Sequence, residues 1–271
     1  MGEQYHNGGI FNDDIPTMIP ALDPAKVSLF QHLNSISPTP WTGASPFDWA
    51  ESVEPGLGGL YGLSTTALSR TALRALWTNP SISVEACFLS TMAWGGMQRG
   101  NGRRIWAARV DCLAICDAVR AGRHNPATGY QAFSTLRSKK RLPGIGPAYF
   151  TKILFFASPI QDAYILDQWT ARSMHFLTGQ GKYPRVRKDY TSAAEALRLK
   201  VPELLRVIVD DKVTSADYVD YCNRVNGLAA NLGWHAHQVE ERLFSSGGRT
   251  PHPWRAHVMA GWTGSGWNFY P

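Results

Sequence analysis

Four cysteines, at positions 87, 112, 116 and 222, are all that this 271-residue chain carries. They are too few and too scattered for a disulfide framework or a zinc site. Cys112 and Cys116 stand four apart on an apolar helical face, so core packing is the first reading and a redox or metal pair the alternative. The eight histidines form no His-x-Glu or His-Glu-x-x-His pattern, and His235 with His237 is too small a set to hold a metal. No apolar run approaches the ~20 residues that span a bilayer. The start, Met1-Gly-Glu-Gln-Tyr-His6, lacks a signal-peptide pattern, so a soluble protein inside a cell is expected. Internal repeats and low-complexity tracts are missing too.

Alternating β-branched runs are scarce, which excludes a large sheet and leaves an all-α architecture with no large β domain. Residues 1–60 form a Pro/Gly-rich N-terminal segment expected to pack on a helical core, with one helix over 24–33 and a loop at Glu54-Pro-Gly-Leu-Gly-Gly59. The core is placed at 61–248, with helices over 65–77, 82–96, 105–121, 127–137, 147–157, 168–178, 190–198, 202–210, 215–232 and 236–245. An aromatic-rich tail, 249–271, holds Trp254, Trp262, Trp267, Phe269 and Tyr270 among glycines and prolines.

The chain does have positive charge. Its formal net charge of +6 agrees with a polyanionic partner, and the clustering is more informative than the total. Arg99, Arg103 and Arg104 form one group, Lys139 to Arg141 a second, and Lys182, Arg185, Arg187 and Lys188 a third.

The second group leads into Leu142-Pro-Gly-Ile-Gly-Pro-Ala-Tyr-Phe-Thr-Lys-Ile-Leu-Phe-Phe156, followed by Asp167. Upstream, Ala132 to Arg137 places Phe133 and Leu136 on one helical face. The unit reads helix, hairpin, helix. Gly144 and Gly146 allow a tight turn around Ile145, and an apolar helix opens directly after it, so the hairpin amides can cradle a phosphate, with Lys139 and Lys140 on the approach. Pro143 and Pro147 suit a turn and a first helical turn. The alternative is a plain interhelical turn.

This segment resembles the helix-hairpin-helix DNA glycosylase superfamily, closest to its 8-oxoguanine branch, with decreasing clarity over roughly Ser81 to Phe244. The resemblance implies a two-lobed helical fold with a central cleft, the N- and C-terminal segments joining in one lobe. It implies excision of an oxidised or modified base, 8-oxoguanine foremost, flipped from double-stranded DNA by a monomer. The catalytic pair it implies is Lys152, attacking C1′, and Asp167, stabilising positive charge on the sugar. A Schiff base on the lysine would add β-lyase activity.

An amine nucleophile must be neutral, and a free lysine titrates near ~10.4, so burial among Ile153, Phe155 and Phe156 is what Lys152 needs. Many lysine-bearing relatives place the nucleophile at the position of Ala148; Lys152 stands one helical turn further along the same face. A phosphate-contacting or solvated lysine is the alternative. Asp167 is equally well placed as the N-cap of the next helix, a role compatible with catalysis. Asp162 competes for the acidic role but lies in the loop before it.

Base extrusion also needs a wedge and a clamp. Met92 to Gly102 ends a helix in a Gly-rich loop carrying Met97, Gln98, Arg99 and Asn101, the wedge candidates, with Trp94 as a further intercalator or a core residue. By resemblance, Phe244 stacks on the base and Glu240, one turn earlier, reads its edge, although relatives use an amide there. Gln168 and Trp169 fall where relatives touch the phosphate backbone, and Tyr218, Tyr221 and Cys222 read as structural. The iron–sulfur cluster of some relatives needs four cysteines after the hairpin, and only Cys222 follows it. No metal or other cofactor is therefore expected, although a monovalent cation at the hairpin is compatible with the reading. A bacterial, cytoplasmic, nucleoid-associated location would follow. Two alternatives stay open: a catalytically silent DNA-binding protein, and a glycosylase acting on modified bases of invading DNA in phage defence.

Overall fold

The structure, a computed structural model, describes residues 22–179, 186–190 and 205–264. Among these it is helical apart from one antiparallel pair of strands. In chain order the elements are α1 Pro24–Leu33, α2 Pro46–Val53, α3 Leu57–Leu60, α4 Arg70–Thr78, α5 Val84–Trp94, α6 Arg99–Ala107, α7 Arg109–Arg120, α8 Pro126–Ser138, α9 Pro147–Ala157 and α10 Gln168–Thr178. Then come β1 Val186–Tyr190, β2 Leu205–Val209, α11 Ser215–Leu232, α12 Ala236–Phe244 and α13 Pro253–Gly264. The all-α class holds, with one small antiparallel strand pair added.

Helix starts are set by short polar side chains. Ser45, Ser69, Ser83, Asn125, Asp167 and Thr214 each accept a first-turn N–H at the head of their helices. Three expectations are corrected. The helix expected over 202–210 is β2 instead, because Val207, Ile208 and Val209 are β-branched and pair with β1 in the register Val186 to Val209. The helix expected over 105–121 breaks at Ala108, which caps both α6 and α7. The Gly-rich stretch at 99–102 is the first turn of α6 rather than loop. Gly102 has a packing reason: a Cβ there would stand 2.7 Å from Val53 and 2.8 Å from Trp49, so glycine lets α6 close on α2. The helix expected over 190–198 lies outside the described residues beyond Tyr190, as do Lys182 and Arg185 of the third basic group and Trp267, Phe269 and Tyr270 of the tail.

Helices α2 to α9 pack as one group, with α2 against α5 and α6, and α9 against α4, α5, α7 and α8. A second group joins α1, α10, α12 and α13, and α11 bridges by packing on both α8 and α12. The first and last described helices meet in the second group: Phe30 of α1 contacts Trp254 of α13 edge-on at 4.8 Å. Around α9 the core is aromatic, with Phe150 stacked on Phe133 at 5.4 Å and meeting Tyr130 at 4.9 Å. All three are fully buried, and truncating such a ring costs about 3–5 kcal/mol. This core fixes α9, and with it the hairpin and Lys152. Cys87, Cys112 and Cys116 are buried free thiols, as core packing requires.

Candidate active site

The hairpin sits between α8 and α9. Gly144 adopts φ +78°, and a Cβ on it would lie 2.9 Å from Asn101 Cβ and 3.1 Å from the Asn101 backbone. Only glycine allows both that backbone conformation and the close approach of α6. Ile145 is fully buried and anchors the turn, and Arg137 of α8 donates to its carbonyl. Arg137 also forks onto Asp211 at 2.7 and 2.6 Å, tying the hairpin to the loop after β2. Gly146 caps α9 with no side chain over the first-turn amides. Lys139 and Lys140 stand exposed on the approach.

One turn along α9, Lys152 is 7 % exposed. Its side chain runs back toward the helix start, as helical side chains do. Nζ donates to the Ala148 carbonyl at 2.7 Å, so the amine reaches the level of Ala148 itself. Nζ is 3.6 Å from Asp167 Oδ2, an ionic contact longer than a hydrogen bond. Burial pushes the ammonium down from its ordinary value, against the opposing pull of Asp167 and Glu240, while Arg70 adds to the depression. Gly95 makes room for this side chain: a Cβ there would press on Lys152 Cδ at 3.1 Å.

Asp167 is delivered by a segment held from several sides. Thr151, beside Lys152, accepts the Leu166 N–H at 3.1 Å, and Thr170 donates to Ile165 O at 2.9 Å. From α11, Tyr218 and Tyr221 donate to the carbonyls of Tyr164 and Ile165 at 2.9 and 2.8 Å. The structural reading of those tyrosines therefore has a purpose: they position Asp167. Asp167 Oδ1 accepts from Trp169 and Thr170 as a helix cap, leaving Oδ2 toward Lys152. Cap and candidate catalytic group are one side chain. Asp162 instead accepts from Ser158 at 2.7 Å and takes no part in the cavity wall.

Lys152 and Asp167 share the wall of a cavity of about 520 Å³, within the range of small-molecule pockets. Ala148, Tyr149, Gln98 and Asn101 line it on the hairpin side; Phe244, Gln168, Trp169 and Arg255 line it on the other. Phe244 is half-buried there, in edge contact with Trp41 at 6.2 Å, as a ring able to stack on a base must be. Gln98 and Asn101 remain wedge candidates in position. Arg99 is exposed off the cavity, donating to Ser52 at 2.8 Å.

Two sequence expectations fail. Met97 is 3 % exposed, and its carbonyl accepts from Trp49 Nε1 at 2.7 Å; the turn through Gly96 sends its side chain into the core, so it is not a wedge. Glu240 is fully buried and absent from the cavity wall, because it faces inward from α12 to pair with Arg70. Burial lifts its carboxyl to about 7, with Arg70 pulling it back down.

Sequence reasoning missed three wall residues. Arg70 had no signal beyond following a helix-capping serine. Trp41 comes from the Pro/Gly-rich segment and is fixed by its indole donating to Trp94 O at 2.7 Å. Arg255 arrives from α13 and stacks over Trp169 at 4.1 Å and Phe244 at 4.7 Å, its guanidinium held by the Phe244 carbonyl. Arg172 lies over the same Trp169 ring at 5.0 Å, so that tryptophan packs against two cations. Such positions meet only through tertiary packing.

The chemical content of the site is a buried amine beside a fixed carboxylate, in a cavity with aromatic and cationic walls, next to the Gly144–Gly146 hairpin. A family model described as "Putative 8-oxoguanine DNA glycosylase OGG-like protein" matches residues 31–244. No curated protein and no solved structure matches the chain.

Proposed function

The chain belongs to this OGG-like family of DNA glycosylases, and from that premise we propose that it flips an oxidised or modified base, 8-oxoguanine foremost, out of duplex DNA and excises it with Lys152 as nucleophile. The observation that carries the proposal is the Lys152–Asp167 contact of 3.6 Å on the wall of one cavity beside the hairpin. The hairpin amides with Lys139 and Lys140 hold phosphates, Gln98 and Asn101 fill the space the base vacates, and Phe244 with Trp41 receives it.

In the reaction, the neutral amine bonds to C1′ while the glycosidic C–N bond breaks and the base leaves with that electron pair, taking up a proton. Asp167 offsets the positive charge that develops on the sugar. Ring opening turns the adduct into a Schiff base, and loss of the acidified C2′ proton eliminates the 3′ phosphate. This sequence needs no cofactor, because the amine supplies the nucleophile. A modified base of invading DNA is a second substrate reading, favoured by the carboxylate of Glu240 at the position where relatives present an amide. The lysine's burial in the cavity argues against a silent DNA-binding protein, whose lysine would gain nothing from desolvation.

The experiment is free-base release from a duplex carrying 8-oxoguanine, followed together with strand nicking. Release with nicking supports the proposal; release without nicking removes the lyase step; no release here or on a panel of modified bases overturns the proposal.

A further inference from the structure

Arg70 begins α4 just after its Ser69 cap and stands on the cavity wall. Its guanidinium is fixed on three sides. Nη1 pairs with the buried carboxylate oxygen Oε2 of Glu240, and the group lies over the rings of Phe155 at 5.0 Å and Trp94 at 5.5 Å. A guanidinium carries several N–H donors and no acceptor. The Glu240 pair is its one hydrogen bond among the described residues, so most of those donors are unspent. Trp94 lines the same cavity, is 2 % exposed, and its indole Nε1 is buried without a partner among the described residues. A buried orphan donor is costly unless a ligand satisfies it.

We propose that Arg70 reads the edge of the extruded base, with the Trp94 indole as second donor and Glu240 as the residue that positions Arg70, so that the pocket selects a base by an edge of acceptor atoms. This rests on the glycosylase reading above. The Arg70 and Trp94 side chains, which offer donors only, repel the Watson–Crick edge of guanine, whose N1–H and 2-amino group are themselves donors. They suit the O6 and O8 oxygens of 8-oxoguanine, which flank its N7–H donor, or the adjacent N3 and O2 of a cytosine derivative. The shared chemistry is a base edge bearing two acceptors, and arginine bonded to base-edge acceptors is the commonest specific base contact.

The test is single-turnover base release by the full chain from duplexes carrying 8-oxoguanine, 8-oxohypoxanthine, 8-oxoadenine or 5-hydroxymethylcytosine. Borohydride trapping on a duplex with a preformed abasic site, which needs the amine but no base, runs in parallel. If a purine is the substrate, 8-oxohypoxanthine, which lacks only the 2-amino group, is released within about threefold of 8-oxoguanine. 8-Oxoadenine, which carries an amine in place of O6, is released at least about tenfold more slowly. Release of the cytosine derivative alone assigns the acceptors to N3 and O2. Arg70→Met loses at least about tenfold in base release and its discrimination between bases, while abasic trapping falls much less. Because that variant strands Glu240, Arg70→Met/Glu240→Gln, which removes both charges at constant volume, must give the same result. Glu240→Gln alone lowers the ratio between bases more than it lowers trapping. Equal release of 8-oxoadenine and 8-oxoguanine, or unchanged selectivity in both Arg70 variants, overturns the inference while leaving the glycosylase intact. Trapping by the wild type without release of any base on the panel overturns it as well, whereas absence of both trapping and release overturns the glycosylase reading itself.

Discussion

Lys152 and Asp167 each do two things, and single substitutions separate them. Asp167→Asn keeps a good helix cap, since asparagine caps as well as aspartate. Its thermal midpoint should therefore stay close to wild type, while base release falls on the order of 10²- to 10³-fold through loss of the charge beside the sugar; a parallel loss of both would reduce Asp167 to a cap. For Lys152 the sign of the pH effect is fixed by burial, which depresses its value below that of a free lysine. The rate of adduct formation rises with pH as the amine loses its proton, and the rise comes below the ~10.4 of an unperturbed lysine. A depressed lysine contributes stability above its unfolded value and loses it as pH falls through the folded one. At neutral pH, Lys152→Met should lose all adduct formation and melt lower than wild type because it strands the buried Asp167 carboxylate, whereas Lys152→Met/Asp167→Asn, which removes both charges, should recover the melting temperature, as seen by trapping and calorimetry.

At the scale of elements, the hairpin and the helices flanking the site were legible in the sequence because their signals are local. Proline at the first helical position and a polar cap mark α9 and α10, and α11 spans Ser215–Leu232 as its apolar spacing requires. What was not legible depends on partners far along the chain. Nothing in Arg99-Gly-Asn-Gly-Arg103 favours a helix until Gly102 meets Trp49 and Val53. Nothing near Glu240 shows that Arg70, 170 residues away, will turn it inward. The span 202–210 was misread because Leu204, Leu205 and Arg206 are good helix formers, and the β-branched run Val207-Ile208-Val209 becomes a strand only on pairing with β1. The sharpest element-level consequence concerns Gly144. Gly144→Ala forces a side chain into φ +78° and against Asn101 at 2.9 Å, so it should cost about 1–3 kcal/mol and weaken DNA binding. Melting curves and fluorescence anisotropy check both, and unchanged binding would remove the hairpin from the DNA interface.

Over the whole molecule, the two helix groups bring residues far apart in the chain, from Trp41 to Arg255, to one cavity wall. Among the described residues no helix is long and apolar enough to cross a membrane. Some of the 27 Lys and Arg are held in ion pairs, Arg141 with Asp111, Arg123 with Asp117 and Arg137 with Asp211, which leaves the net charge of +6 to the rest. Lys139 and Lys140 are exposed beside the hairpin. If both neutralise phosphates, Lys139→Ala/Lys140→Ala reduces the slope of log affinity against log salt by roughly 2 and weakens binding evenly across sequences. An unchanged slope would place the DNA elsewhere.

The central claim is that Lys152 is an amine nucleophile at the sugar of an excised base. Borohydride trapping on duplex DNA carrying 8-oxoguanine opposite each normal base, with wild type and Lys152→Gln side by side, addresses it most directly. The account predicts a covalent protein–DNA adduct with wild type and none with the variant; base release without an adduct, or an adduct that persists in Lys152→Gln, would contradict it.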